Sequence, residues 1–187
     1  MAEYYYTVAS LPMLVFNQAP QITVEYFLET CRYTLSEKDY ETLISSVDTE
    51  GGEKHPAVKQ WLLFEKSLRN ELVKMRASKL GKDADKYMRP GDSTTGVYDA
   101  AREAFGASNP KAGEEILNEA RWRYLDEIEN THNFDLTKLI VYYLKLKIAE
   151  RKEVMSDKNG EEKYKEIYNG IAEKIHQSYD GDNNGSK

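Results

Sequence analysis

The stretch NFDLTKLIVYYLKLKIAER, Asn133 to Arg151, decides the fold. It is the most apolar helical segment in a polar chain. At roughly 100° per residue, Leu136, Leu139, Ile140, Tyr143, Leu144 and Val154 share one arc, and Leu146 and Ile148 widen it. An arc that wide predicts burial on more than one side. Asp135 can accept hydrogen bonds from the free N–H groups of a first turn, so the helix is expected to start there. At its far end Lys147, Glu150 and Arg151 fall within or beside the arc, where core packing alone would call for Leu or Val. Two explanations are open. In one, the stems of Lys147 and Arg151 lie over apolar surface with their charges in water, and Glu150 partners one of them or a neighbouring helix. In the other, the apolar half of the helix is core and the charged half docks on another protein.

The flanking sequence reads as further helices. Pro110 to about Asn130 is one, preceded by a break at Gly106 to Pro110 and a short helix from Thr94 to Phe105. Pro56 opens the longest, which ends at Gly81 and spans roughly 37 Å at 1.5 Å per residue. Its stripe is Val58, Trp61, Leu62, Leu68, Leu72, Val73 and Leu80, with Glu65, Arg69 and Arg76 inside the same arc. Two long helices with ions in their apolar stripes could pair those ions with each other. Thr23 caps a helix to about Thr34 burying Val24, Phe27, Leu28 and Cys31, and Ser36 with Asp39 starts a second carrying Tyr40, Leu43, Ile44 and Val47, the two forming a hairpin. Tyr4-Tyr5-Tyr6-Thr7-Val8 has strand propensity but no second strand to pair with, so a short helix ending before Pro12 is expected. Residues 81–96 are expected to be a mobile connection, and 160–179 a last helix burying Tyr164, Ile167, Tyr168, Ile171, Ile175 and Tyr179. The prediction is an all-α, elongated multi-helix bundle of six to eight helices with two long ones. Residues 1–179 form a single helical domain in this reading, and 180–187 a disordered polar tail.

Charge narrows the function classes. With 26 Lys and Arg against 32 Asp and Glu, the net charge is −6, which argues against a general nucleic-acid binder. A single cysteine, Cys31, excludes an internal disulfide and a cysteine-based zinc site. No basic stretch followed by an apolar run opens the chain, and no 18-residue apolar segment occurs, so direct membrane insertion is not expected and the location is expected to be cytoplasmic.

Chemistry-bearing patterns are sparse. Arg89 to Gly96 resembles a phosphate loop in composition alone, without a Gly-Lys-Ser/Thr ending or a preceding strand. Glu129-x-x-His132 and Glu173-x-x-His176 have the spacing of di-iron helix bundles, but Glu173 lies about 180° and Glu129 about 120° from its own helix's stripe. Asp180, Asp182, Asn184 and Gly185 match the start of a calcium loop, yet the sequence given ends before its twelfth position, so no tight site is expected. His55, His132 and His176 are scattered and no nucleophile motif occurs, so the expectation is a non-enzyme without cofactor or metal.

Tyr4 to Leu14, Phe27-Leu28 with Leu35-Ser36, and Phe134-Asp135-Leu136 leading to Tyr143-Leu144-Lys145-Leu146 and Glu150-Arg151 resemble a bacterial family associated with V-type (archaeal-type) ATP synthase subunits. That family is described as similar to the socket subunit of those enzymes, which has a counterpart in the eukaryotic vacuolar enzyme. The socket is an all-helical funnel joining the rotating central shaft to the membrane rotor ring. This chain is shorter and shows no threefold repeat. The resemblance therefore implies a reduced coupling socket or an accessory factor of a rotary proton or sodium ATPase, peripheral at the membrane through that complex. Its partners would be subunits of the central stalk, the rotor ring or both. Lys147, Glu150 and Arg151, alone or with Glu65 and Arg69, are the expected docking surface. The competing classes are a stand-alone helical adaptor and a di-iron enzyme.

Overall fold

The computed structural model describes residues 2–47, 55–91, 93–155, 160 and 164–171 of the 187. Among the described residues every regular element is helical. They are α1 (Ala2–Ser10), α2 (Val24–Thr34), α3 (Glu37–Ser45), α4 (Pro56–Lys79), α5 (Val97–Gly106), α6 (Pro110–Glu129) and α7 (Leu136–Val154), with a 3-10 turn at Ala84–Lys86 and a further helical segment at 164–171. Three helices, not two, are long: α4 has 24 residues, α6 20 and α7 19.

The caps explain the boundaries. Thr23 Oγ1 accepts from Tyr26 N at 3.2 Å, Ser36 Oγ from Asp39 N at 3.2 Å, Asn109 Oδ1 from Ala112 N at 2.8 Å, and Asp135 Oδ1 from Lys138 N at 3.0 Å. Pro56 and Pro110 occupy first turns, where a missing N–H costs nothing. Helix α4 ends because Gly81 takes φ 62°, which lets Lys82 N reach back to Ala77 O at 2.9 Å and Gly81 N to Ser78 O at 3.2 Å.

Helix α7 runs through the centre and touches α1, α2, α3, α4 and α6. That encirclement explains its composition, since Val141, Tyr142 and Lys145 are buried as well as the arc read from the sequence. Phe27 of α2 stacks on Tyr142 and Tyr143 at 5.3 and 5.7 Å between centroids, and Trp61, Phe64 and Tyr124 stack in series across α4 and α6. Tyr142 donates to Pro12 O at 2.9 Å, tying the chain after α1 to α7. Where α5 meets α6, a Cβ on Gly113 would lie 2.8 Å from the Ala104 carbonyl oxygen, so the close approach requires glycine.

Several expectations are corrected. Val154 is 72% exposed and Leu80 is exposed: Val154 is the last residue of α7, and Leu80 is the cap that follows Lys79 at the end of α4. Residues 164–171 are helical, but Tyr164, Ile167, Tyr168 and Ile171 are 54% to 69% exposed and outside the core. A stripe at helical spacing shows that an apolar face exists, not that another surface covers it. Ile175, Tyr179 and the 180–187 tail lie outside the described residues. The connection after α4 is tied back to that helix at two points: the Asn70 amide clamps the Arg89 backbone from both sides at 2.9 Å, and Ser67 Oγ accepts from Thr94 N at 2.8 Å.

Candidate functional site

The charges set into the helix stripes converge on one groove. Glu65, only 8% exposed on α4, accepts from Arg121 Nε of α6 at 2.6 Å and pairs with Arg69 at 3.3 Å. Arg121 continues to Asn118 Oδ1 at 2.8 Å and to Glu114 at 3.0 Å, and Glu114 is in turn 3.2 Å from Arg151 of α7. The ions of the two longest apolar stripes are thus linked through α6 and do not pair directly. Burial pulls the Arg121 guanidinium down, but the charge and hydrogen bond of Glu65, with Glu114 behind them, outweigh it and hold the group above its ordinary value. This network is built for the fold. A buried pair cut on one side leaves an uncompensated charge.

Above it lies a hollow of about 430 Å³ between α4 and α7. Its floor is apolar, from Val47, Leu62, Leu144 and Ile148, and its walls carry Lys66, Arg69, Arg89, Arg121, Lys147 and Arg151 against the single carboxylate of Glu65. With Glu114 counted behind Arg121 and Arg151, six cations face two carboxylates, still a local reversal of sign in a chain of net charge −6. Lys66, Arg89 and Lys147 have no carboxylate within 4 Å among the described residues. Lys147 is exposed and lies 5.8 Å from the Tyr143 ring, while Arg69 and Arg151 each keep about half of the side chain in water. Four of the five residues named from the sequence, Glu65, Arg69, Lys147 and Arg151, line this groove.

Glu150 does not. Its Oε1 accepts from Val24 N at 2.7 Å, so it caps the N-terminus of α2, where a carboxylate also meets the positive end of the helix dipole. No sequence signal announces a bond to a main-chain amide 126 residues away. Lys66 and Arg89 are legible in the sequence only as basic residues. Asn70 places the second, and Lys66 Nζ reaches Pro90 O at 3.5 Å on the same connection.

A second polar cluster joins α6 to α7. Lys145, 6% exposed, donates to Asp126 Oδ1 at 2.6 Å and to Glu129, which also takes Lys138. Burial pushes Glu129 up, but the hydrogen bonds from Lys138 and Lys145 prevail and hold its carboxyl below the ordinary value. The hollow of about 570 Å³ beside it has two lysines balanced by two carboxylates, so it carries no net attraction for an ion. Glu129 is engaged by cations and His132 Nδ1 by Asp135 at 2.5 Å, leaving that pair committed to the fold. Glu173 and His176 lie outside the described residues, as do Asp180, Asp182, Asn184 and Gly185. Among the described residues no three His, Cys, Asp or Glu side chains are placed to hold a metal ion, and no helix is long and apolar enough to cross a membrane.

A protein family described as "Protein of unknown function (DUF2764)" matches residues 102–175, which is 74 of the 187 residues. The match takes in α6 and α7, and with them Glu114, Arg121, Lys147 and Arg151 of the groove. No curated protein and no solved structure matches the chain.

Proposed function

We propose that this chain is a non-catalytic docking component of a V-type rotary ATPase, acting as a reduced coupling socket or an accessory factor on the cytoplasmic side, with the groove between α4 and α7 as its contact surface. The observation that carries the docking reading is the concentration of six cationic side chains over an apolar floor in an acidic protein. Core packing explains Glu65 and Arg121, which are sealed and paired. It does not explain Lys66, Arg89 and Lys147, whose charges meet no carboxylate among the described residues.

The ATPase assignment rests on the resemblance carried by Tyr4 to Leu14, Phe27-Leu28 with Leu35-Ser36, Phe134 to Leu136, Tyr143 to Leu146 and Glu150-Arg151. Those residues meet in space. Tyr5 packs on Phe134 at 4.8 Å, Tyr142 holds Pro12, and Glu150 caps α2. They make a scaffold of α1, α2 and α7 that leaves the outer side of α7 for the groove. A stand-alone adaptor would use the same groove for a different partner.

Affinity purification of the tagged protein from its native organism separates these readings. The expected result is recovery of ATPase subunits with the wild type and their loss, more pronounced at high salt, with Lys147→Ala and Arg151→Ala. Eluates without ATPase subunits refute the assignment. Recovery that the two substitutions leave unchanged refutes the groove as its contact.

A further inference from the structure

We infer that the occupant of the groove is an acidic amphipathic α-helix of a partner protein, lying along the floor with carboxylates against both walls. This rests on the reading of the groove as a docking surface and names the chemistry that fills it. The walls stand on different elements. Lys66 and Arg69 rise from α4, with Arg89 held beside them by Asn70, and Lys147 and Arg151 rise from α7. The same two helices supply the apolar lining, Leu62 on α4 and the buried Leu144 and Ile148 on α7, with Val47 just past the end of α3. Two cation-bearing walls with an apolar lining form the negative image of a helix whose apolar stripe is flanked on each side by Glu or Asp.

The groove shares Asn118 and Arg151 with a second hollow of about 840 Å³ at the start of α6, where Glu114 and Glu115 stand beside Lys111 and Lys152. The cationic excess therefore belongs to the hollow between α4 and α7, and the helix is placed there.

Other ligands match less of this arrangement. A small anion would use converging cations and leave the apolar lining bare. A nucleic-acid backbone would satisfy the cations and leave Val47, Leu62, Leu144 and Ile148 without an apolar partner. A bilayer is flat, and the lining lies at the bottom of a hollow.

The probe is a fluorescein-labelled peptide of about 16 residues, with Leu at i, i+3, i+4 and i+7 and Glu on both flanks, stapled as a helix. Fluorescence anisotropy with the full chain is expected to show saturable one-to-one binding. The triple variant Lys66→Glu, Arg89→Glu, Lys147→Glu is expected to weaken it about tenfold, a few-fold contribution from each rim charge. Because Lys66 touches the connection after α4, the double variant Arg89→Glu, Lys147→Glu repeats the test without it, and melting midpoints confirm that both fold. Leu62→Ala is expected to weaken binding at every salt concentration, whereas the charge effect fades with salt. Absence of binding overturns the inference. So does equal binding of a scrambled peptide of the same composition, since charge alone would then account for it.

The two readings fail separately. If the peptide binds in the groove while ATPase subunits do not co-purify, the ATPase assignment falls and the helix remains. Groove-dependent recovery of ATPase subunits with no peptide binding removes the helix alone.

Discussion

Lys145 and Lys147 stand two residues apart on one helix, and replacing each by Met is predicted to give opposite results. Lys145 is buried, with Nζ 2.6 Å from Asp126 and bonded to Glu129, and 5.6 Å from the Trp122 ring. Breaking a buried pair on one side costs about 3–5 kcal/mol when the remaining charge is stranded. Here the stranding is partial. Asp126 keeps more than half of its side chain in water, and Glu129 retains Lys138. Lys145→Met, which preserves the stem, is therefore expected to cost about 1–2 kcal/mol. Lys145→Ala also removes three methylenes from a dry site, near 0.8 kcal/mol each, for a total of about 3–4 kcal/mol. Lys147→Met touches a solvated ammonium and should stay within about 0.5 kcal/mol. Urea unfolding followed by circular dichroism measures all three, with a common slope confirming that only stability has changed. At this chain length 1 kcal/mol moves the melting midpoint by roughly 2–4 °C, so the Ala variant separates clearly from the others. Equal losses for Lys145→Met and Lys147→Met would refute the assignment of the first to the fold and the second to the groove.

Three further outcomes are expected. Glu150→Ala removes the carboxylate that holds Val24 N, so it should cost about 1 kcal/mol and speed hydrogen exchange at Val24, with no change in peptide binding at the groove. His55 caps α4 by accepting from Ala57 N at Nδ1, and burial, only partly opposed by Asp135 and Asp39, holds its pKa below 6.5. The folded state thus binds the proton less readily than the unfolded one. The cap's contribution is complete above 6.5 and is lost as pH falls below that value, which the protection factor of the Ala57 amide, its exchange rate relative to the intrinsic rate at each pH, tests from pH 5 to 7.5; a protection factor that does not change with pH would contradict it. Burial pushes the Cys31 thiol up to about 12, so a thiol reagent should label the native chain at pH 8 far more slowly than the unfolded chain.

How much can be read in advance follows from which interactions are local. Thr23, Ser36, Pro56, Gly81 and Asp135 set helix ends through partners at most a few residues away, and the structure places them where the sequence does. Asn109 belongs with them as a cap. Lys145 shows the limit. Between Leu144 and Leu146 it reads as a surface lysine, and its burial depends on Asp126 and Glu129 arriving one turn apart on α6. Arg121 is the same case, because its two carboxylate partners come from α4 and from two turns back on its own helix. The groove is half legible: Glu65, Arg69, Lys147 and Arg151 are conspicuous as charges in apolar stripes, whereas Arg89 is set there by a clamp from Asn70 that no periodicity encodes. Residues 164–171 are a different case. Their apolar spacing is real, but spacing carries no information on whether another surface covers it.

The central place of α7 sets the order in which the chain can be completed on the ribosome. Val24 waits for Glu150, Pro12 for Tyr142 and Phe16 for Lys152, partners that lie 126, 130 and 136 residues further on. At roughly 5–20 residues per second, some 6 to 27 s separate the synthesis of each pair. During that interval Phe27 has no Tyr142 or Tyr143 to stack on, and the sides of α1 and α2 that face α7 are bare. Helices α4, α5 and α6 each contact the next one and can assemble as they emerge. The first 35 residues therefore dock last although they are made first. A nascent chain halted before Leu136 should hold its first 35 residues open to protease and to chaperones, and release of the α7 sequence should close them in one step.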